Sequence, residues 1–348
     1  MTVRVSSQAD LLNRIEKSGI VGMGGAGFPT ARKIQIALEN RPTVLVINAG
    51  ATNPDCNPDP TLVAHYGNAV RDGVCVLQRI LDPTRTVLAL NRAVTLENLD
   101  CWGQLGVAIH RLDTTFPEGE EASVIQQTLG MRLPQGTYPA DVGVCVLNVA
   151  TVFAVAEAVL LGQRPSDRLV AANGRTLWVR FGTEVRAVMG GQLPIRICGR
   201  WSGQPARGDE AVDSSLFAIW SGPVRPPLPC IRCGACDESC PLDLPVELLV
   251  AEAISATVGV ISRACLSACY ECGACVDACP SDIPVLDHLR TAKRTLAMEA
   301  RAATVADVSL RRFERRTRRI EQDDRDSAKN RHQRMQRVRR WEETAEIP

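Results

Sequence analysis

Residues 230–241 read CIRCGACDESCP, and residues 269–280 read CYECGACVDACP. Each copy has the spacing C-x2-C-x2-C-x3-C-P, in which closely set thiolates on a turning loop hold an iron–sulfur cluster. Three of the four can reach one cubane. The fourth is carried away by the start of the following helix and ligates the other cluster. That rule gives Cys230, Cys233, Cys236 and Cys279 to one [4Fe–4S] cluster, and Cys269, Cys272, Cys275 and Cys240 to the second. Gly234 and Gly273 let the backbone bend around the sulfurs, and Pro241 and Pro280 suit a helix start, where a missing N–H costs little.

Other cysteine chemistries explain the pattern less well. Zinc uses paired C-x2-C units, but two zinc sites would not call for a doubled fourfold spacing with a proline after each last cysteine. Disulfides need an oxidising compartment, and the N-terminus does not look like a secretory signal. The chemistry implied is single-electron transfer. Fourteen cysteines minus eight ligands leaves Cys56, Cys75, Cys101, Cys145, Cys198 and Cys265. Most lie in apolar runs and are expected to be buried free thiols.

The remaining composition, 45% hydrophobic and 23% charged over 348 residues, is that of a soluble globular protein with two or three domains. The net charge is +1, but thirteen Arg or Lys stand against five Asp or Glu between Arg311 and Arg340. This basic stretch is expected to be a solvated helix, or disorder towards its end. Contact with anionic headgroups or an acidic partner is the next choice. It lacks the interleaved aromatics of a nucleic-acid binder. One stretch, residues 142–162, has the length of a membrane span. Asn148, Thr151 and Glu157 interrupt it, and it reads better as a buried strand followed by a helix.

Upstream, Ser6 or Ser7 can cap a short amphipathic helix stopped by Gly19. Residues 19–33, GIVGMGGAGFPTARK, bring several glycines to the start of a helix, where backbone N–H groups can approach a phosphate. The run is neither a Rossmann fingerprint nor a Walker loop. Buried strands are expected at 43–50, 86–90 and 107–112, with a helix at about 62–81 and another near 97–105. Alternating strands and helices argue for an α/β layered domain. After Pro165 short strands with a turn at Asn173-Gly174 read as a small β-rich module. Residues 201–229, rich in Gly, Pro and Ser, read as a linker.

This order of parts resembles the C subunit of the Rnf (Rsx) ion-translocating oxidoreductase. Its first part is also similar to the flavin-bearing, NADH-binding subunit of respiratory complex I. The resemblance rests on GGAGFPT, the α/β domain, the β module and the paired cysteine motifs, over about residues 10–300. It implies an α/β FMN/NADH-type domain at 1–165, a β-grasp-like module at 166–200, the linker at 201–229, an α-helical ferredoxin-type two-[4Fe–4S] domain at 230–300, and a basic tail at 301–348. It also implies FMN as a cofactor beside the two clusters. Gly22, Gly24, Gly25, Ala26 and Gly27 would lie at its phosphate, Lys33, Asn48 and Asn148 around the flavin, and Glu120 and Glu121 in an acidic turn nearby.

The implied setting is peripheral, on the cytoplasmic face of the membrane. There the other Rnf subunits would be partners, and electrons would pass between NAD(H) and ferredoxin, coupled to ion movement. Two departures bear on this. The family's E-x-E-P segment after the first strand is Ala51-Thr52-Asn53-Pro54 here, without either carboxylate. Charged hydrogen bonds are worth about 1.5–3 kcal/mol each, so losing two weakens flavin binding by about a hundredfold or more. The family's N-terminal barrel-like domain also has no counterpart ahead of the glycine loop. Two alternatives therefore stay open: a soluble flavin/iron–sulfur reductase of another acceptor, such as a corrinoid, and a non-catalytic cluster relay with a degenerate flavin site.

Overall fold

The computed structural model describes residues 7–51, 57–92, 94–95, 99–113, 117–134 and 137–345. The chain forms two compact units, Met1–Leu289 and Arg290–Pro348.

The first unit begins with α1 (Gln8–Ser18), whose N-terminus is closed by a capping box between Ser7 and Asp10 and whose C-terminus is Gly19 at φ 71°. α2 (Thr30–Glu39) follows the glycine run. Four strands, β1 (Val44–Ala49), β2 (Arg85–Asn91), β3 (Val107–Leu112) and β4 (Val144–Asn148), then form a sheet in the order β3-β2-β1-β4. All three pairings are parallel. The connections are α3 (Asp59–Leu81), α4 (Leu99–Gln104) and α5 (Glu121–Leu129), and β4 runs straight into α6 (Val149–Ala156). A π-helical turn, Glu157–Leu161, extends α6. The apolar stretch at 142–162 is thus a buried strand and helix, as its pattern predicts.

Parallel strands buried on both faces read as continuous apolar runs, and β1 and β4 do so. Leu45, Ile47, Leu88 and Leu147 pack with α1, α2, α3 and α6 on one face. Val46, Ala89, Val144 and Val146 pack with Val124 and Ile125 of α5 on the other. α3 and α6 come very close: a Cβ on Gly73 would stand 2.1 Å from the carbonyl oxygen of Val152.

The second sheet holds five strands, β5 (Asp167–Ala172), β6 (Arg175–Arg180), β7 (Ile195–Ile197), β8 (Gln204–Ala206) and β9 (Ala218–Ser221), in the order β6-β5-β9-β7-β8. A four-residue helix, α7 (Val185–Val188), lies between β6 and β7. This corrects the reading of 201–229 as a linker, because β8 and β9 come from it. β9 is the middle strand, and its buried Ala218 and Ile219 are too short a run to stand out among Gly, Pro and Ser.

The cysteine segment is a structural repeat. The first copy carries α8 (Ala235–Glu238), and α9 (Val246–Ser255) and α10 (Val260–Ala268) follow it. The second carries α11 (Ala274–Asp277) and then α12 (Val285–Ala345). The helical segment between the cysteine sets is broken into α9 and α10, with Ala256 in the left-handed region at φ 54°. Pro241 and Pro280 lie in turns, and the long helices start after Pro245 and Pro284 instead.

The second unit is helical from Arg290 to Ala345. Its exposed residues include Phe313, Ile320 and Met335 among the arginines. Among the described residues no single helix is long and apolar enough to cross a membrane, and only the bent pair α9–α10 passes that test jointly.

Replacing Gly73 by Ala is expected to destabilise the first unit by about 1–3 kcal/mol, because the new methyl must push α6 away from α3. Denaturant unfolding of the variant against the parent checks this, and an unchanged midpoint would refute the contact.

Candidate functional site

In open parallel sheets, ligands bind beyond the carboxyl ends of the strands, where the strand order reverses. Here that point lies between β1 and β4. Asn48 and Asn148 are cross-strand neighbours at their ends, so two of the residues named from the resemblance sit side by side there.

Each asparagine is locked by the local chain. Asn48 donates through Nδ2 to the Gly119 carbonyl at 2.8 Å and accepts from the Gly50 N–H at 2.9 Å. This clamps the loop before α5 onto the end of β1. The approach is so close that a Cβ on Gly119 would stand 2.4 Å from the Gly50 oxygen. Asn148 caps α6 through the Ala150 N–H at 2.9 Å and donates to Asp59 Oδ2 at 2.6 Å.

The glycine loop sits directly over Asn148, where a Cβ on Gly24 would lie 3.2 Å from the Asn148 Cβ. The Gly22 N–H donates to the Phe28 carbonyl at 2.7 Å and the Gly27 N–H to the Gly22 carbonyl at 3.2 Å, closing the turn. Gly25 at φ 105° and Gly27 at φ 63° have backbones that only glycine adopts easily. The Met23 N–H is held by Thr151 Oγ1 at 2.9 Å. Among the described residues no acceptor takes the N–H groups of Gly24, Gly25 or Ala26. Unpaired N–H groups before a helix suit a phosphate, so the loop fits the phosphate end of a flavin nucleotide.

The predicted charged residues are present, but they are partly engaged with each other and with the backbone. Lys33 Nζ pairs with Glu121 Oε1 at 2.8 Å. Glu120 caps α5, with Oε2 accepting from Ala122 N–H at 2.7 Å and Ser123 N–H at 3.1 Å, and burial pushes its carboxyl above the usual range. Of the segment replacing E-x-E-P, only Ala51 lies within the described residues.

Sequence reasoning missed three residues. Arg168 of β5 is 1% exposed and donates through Nη2 to the Met23 carbonyl at 2.9 Å and through Nη1 to the Ser214 carbonyl. Asp59 is also buried, and desolvation pushes its carboxyl up to about 6 despite the Asn148 hydrogen bond and the nearby Arg168 charge. Burial lowers Arg168 in turn to about 10. Glu118 is 2% exposed; its Oε1 accepts from the Ala51 N–H at 3.1 Å and from Asn91 Nδ2 at 2.6 Å, while Oε2 is shielded from solvent and has no hydrogen-bond partner among the described residues. No signal in the sequence marks Asp59 or Arg168, whose importance comes from burial. The acidic turn at Glu120 and Glu121 lies next to Glu118 in sequence but did not single it out.

The cysteine loops repeat their geometry thirty-nine positions apart. Arg232 and Glu271 have φ 54° and 58°, Gly234 and Gly273 φ 76° and 85°, and Asp243 and Asp282 φ 51° and 50°. In each loop an N–H reaches back to the first thiol, Arg232 to Cys230 and Glu271 to Cys269, both at 3.4 Å. One pocket is lined by Cys240 together with Cys269, Cys272 and Cys275, and closed by Leu244, Leu249 and Leu286. Burial first, then the neighbouring Cys272, Cys269 and Cys240, push the Cys275 thiol up to about 12. On the other side the Leu228 N–H donates to the Ser281 carbonyl at 2.8 Å and Ser281 Oγ donates to the Pro229 carbonyl at 3.1 Å, which ties the chain entering Cys230 to the chain leaving Cys279. Among the described residues no three His, Cys, Asp or Glu side chains converge tightly enough for a single metal ion. Four thiols spread around a pocket fit a multi-iron cubane better than a zinc ion.

The two sites lie within electrostatic reach of each other. Tyr270, beside Cys269, has its hydroxyl pushed up by burial and then by the negative charge of Glu120, with Arg132 opposing. Of the cysteines outside the motifs, Cys145 is buried and its thiol is pushed up to about 12 by burial. Cys75, Cys101, Cys198 and Cys265 are only half-buried, short of the expected burial, and Cys56 lies outside the described residues.

Residues 15–157 match the Nuo51 FMN-binding domain family and residues 229–283 the 4Fe-4S dicluster domain family. The chain therefore belongs to the class of proteins that join an FMN-binding parallel-sheet domain to a dicluster iron–sulfur domain. Within that class it belongs to the family of the C subunit of ion-translocating oxidoreductase complexes. It is 30% identical over 269 residues to that protein from Vibrio cholerae serotype O1, a match covering 67% of this chain and 33% of the relative. The Serratia proteamaculans counterpart is 29% identical over 265 residues, covering 69% of this chain and 38% of the relative. The chain thus spans about a third of the length of these curated relatives. Among solved structures, a chain of NAD+-reducing [NiFe]-hydrogenase in the H2-reduced state superposes with a TM-score of 0.57 at 18% identity, covering 83% of this chain and 63% of that one. The air-oxidized form gives 0.52 at 20% identity, covering 72% and 49%. These last likenesses concern the fold.

The proton on Asp59 makes stability depend on pH. Its folded-state pKa of about 6 lies above the unfolded value near 3.8, so the folded chain keeps a proton that the unfolded chain has lost. Stability should therefore fall as pH rises from about 4 to about 6 and stay level above that. Asp59→Asn should flatten this window and leave the variant more stable than the parent above pH 6, by up to about 3 kcal/mol. Urea unfolding at pH 4, 5, 6 and 7 measures it, and parallel pH profiles for parent and variant would refute it.

Proposed function

We propose that this chain is an electron-transfer subunit of an Rnf-type complex, carrying FMN and two [4Fe–4S] clusters. In that complex electrons would pass between NAD(H) and ferredoxin at the cytoplasmic face of the membrane, coupled to ion translocation, with the other Rnf subunits as partners. The observation that carries the reading is the presence of both sites in one unit: the charge of Glu120, which caps the first turn of α5 beside the flavin-type crevice, reaches Tyr270 next to Cys269.

In this reading the N–H groups of Gly24, Gly25 and Ala26, with Gly22 and Gly27 shaping the turn, hold the FMN phosphate. Lys33, Asn48, Asn148, Glu120 and Glu121 frame the crevice around the ring. FMN, when bound, supplies the exchange between a two-electron hydride and two single electrons. Asn48 holds the loop before α5 against β1, so the crevice wall is fixed before any ligand arrives. Arg168 and Thr151 fix the glycine loop in the same way from behind.

Cys240, Cys269, Cys272 and Cys275 would ligate the cluster next to the flavin, in a pocket lined by leucines that keep water away. Cys230, Cys233, Cys236 and Cys279 would ligate the second. Cys230 and Cys233 are exposed, which suits a cluster that hands electrons to a partner. Assembly requires each thiol to give up its proton to iron ligation, and for Cys275, raised to about 12, the metal must drive that loss.

A cluster relay with an empty nucleotide domain has one observation in its favour, the pairing of Lys33 with Glu121 inside the crevice. Flavin extraction and iron counting on anaerobically purified protein separate the two readings. Stoichiometric FMN with about eight irons per chain, as two cubanes require, supports the flavoprotein. About eight irons without flavin support the relay, and about four or fewer refute both.

The crossed ligand assignment has its own test. The double variant Cys240→Ala/Cys269→Ala removes two ligands of one cluster, whereas Cys240→Ala/Cys230→Ala removes one from each. The first should retain the electron paramagnetic resonance signal of one reduced cluster and about half the iron, and the second should lose most of both. The reverse outcome would mean that each motif ligates its own cluster.

A further inference from the structure

The two helices between the cysteine sets carry an apolar surface that neither site uses. α9 and α10 meet at a bend of 115°. Their inner face is committed, since Val246 and Leu249 line the cluster pocket and Val250 and Leu266 are buried. At the bend the outer face is aliphatic: Ile254 is 61% exposed, Val260 85% and Ile261 79%. Between Glu252 and Arg263 the sequence is AISATVGVIS, ten residues without a charge. Single exposed aliphatic residues are ordinary on a protein surface, whereas several grouped at one uncharged bend mark a contact.

The polar groups at the bend are turned inward. Glu252 Oε2 accepts from the Gly259 N–H at 2.9 Å, and the Ser262 hydroxyl bonds to the same carboxylate. The Glu252 carbonyl accepts from the Thr257 N–H at 3.1 Å and from Ser255 Oγ at 3.2 Å, and Ser255 Oγ and Thr257 Oγ1 lie 2.6 Å apart. Arg263 Nε donates to the Val258 carbonyl at 3.4 Å. The two charges that flank the run are thus tied to the bend itself. A loop made for water shows its hydroxyls and buries its aliphatic groups. This one does the reverse, which suits a medium that offers no hydrogen bonds.

The size of the patch chooses between occupants. A stable interface with a second copy or another protein draws on about 20–30 residues a side, and this bend offers a handful. It also presents no free charge to set a register against a protein surface. A bilayer requires neither, only aliphatic groups that reach past the headgroups. The pair has jointly the length and composition of a broken membrane segment. With Val246 and Leu249 fixed at the cluster pocket it cannot cross, so only the bend can enter.

We propose that the α9–α10 bend is a shallow membrane anchor, with Ile254, Val260 and Ile261 entering the acyl boundary of a lipid bilayer. The proposal rests on the membrane-face setting given above and names the element that touches lipid there. Because α9 also walls the cluster pocket, the anchor holds that cluster at a fixed distance from the bilayer.

The test is flotation of the anaerobically purified full chain with neutral phosphatidylcholine vesicles in about 0.5 M salt, which mutes the arginine-rich tail. The parent should float with the vesicles. Ile254→Ser/Val260→Ser/Ile261→Ser should float at least about tenfold less, since one aliphatic side chain moved out of water is worth roughly that factor. Its iron content and melting temperature should match the parent's. Separately, Val260→Trp should add tryptophan emission that bromine-labelled acyl chains quench. A parent that stays free of neutral vesicles overturns the anchor, as does a triple variant that floats like the parent. A parent that ignores vesicles but holds another protein, which the triple variant releases, makes the bend a protein contact and overturns it too. Should the triple variant lose iron, the Val260→Trp measurement decides, and an unquenched tryptophan overturns the proposal. The membrane-face setting itself fails on a different result, the absence of the parent from native membrane fractions.

Discussion

The buried guanidinium of Arg168 is the contact on which the arrangement of the first unit turns. It starts from β5 in the second sheet, yet its hydrogen bonds go to the carbonyls of Met23 in the glycine loop and Ser214 before β9. One side chain therefore fixes the loop of one sheet against two parts of the other. A buried cation is tolerated only with partners, and here these are three carbonyls, those of Leu169, Ser214 and Met23, and the nearby charge of Asp59. Asp59 holds Asn148, over which the glycine loop folds. The turn that could offer its N–H groups to a phosphate is thus braced through Arg168, Asp59 and Asn148.

The same logic of bracing by close approach recurs at the other wall of the crevice. Gly50 and Gly119 bring two backbones within a distance that no side chain would allow. Asn48 then uses both ends of its amide to hold them there. At Gly273 the cysteine loop meets the β module in the same manner, with a Cβ there falling 2.6 Å from the Trp201 backbone. A redox chain needs short and constant separations between its centres, and glycine contacts between backbones are the stiffest way to set them. The β module, through Trp201 and the ion pair of Arg200 with Asp277 at 3.7 Å, is a bracket for the cluster segment.

The doubled cysteine pattern was legible in full, down to the left-handed residues that the spacing needs at Gly234 and Gly273. The strands of the parallel sheet were legible too, since TVLVINAG and VGVCVLN are unbroken apolar runs of the kind a doubly covered sheet requires. β9 was not. Four residues among glycines and prolines carry no periodicity, and only pairing with β5 and β7 makes Ala218–Ser221 a strand. The break between α9 and α10 was equally hidden, because Ala256 in the left-handed region has no sequence mark.

The sequence by itself determined which chemistry the chain is built for: two sets of thiolates at fixed spacing, and a glycine turn before a helix. Local spacing can do this because most ligands to one cluster, and the N–H groups to one phosphate, come from a few consecutive residues. Only the tertiary structure decided how those parts relate. It set the thiol of Cys240 beside those of Cys269, Cys272 and Cys275, and it put Tyr270 within reach of the charge of Glu120. It also left Glu118 buried at the end of β1, with one oxygen unpaired among the described residues. Those facts depend on burial and on contacts between residues tens to more than a hundred positions apart, and a single chain's local pattern carries no record of either.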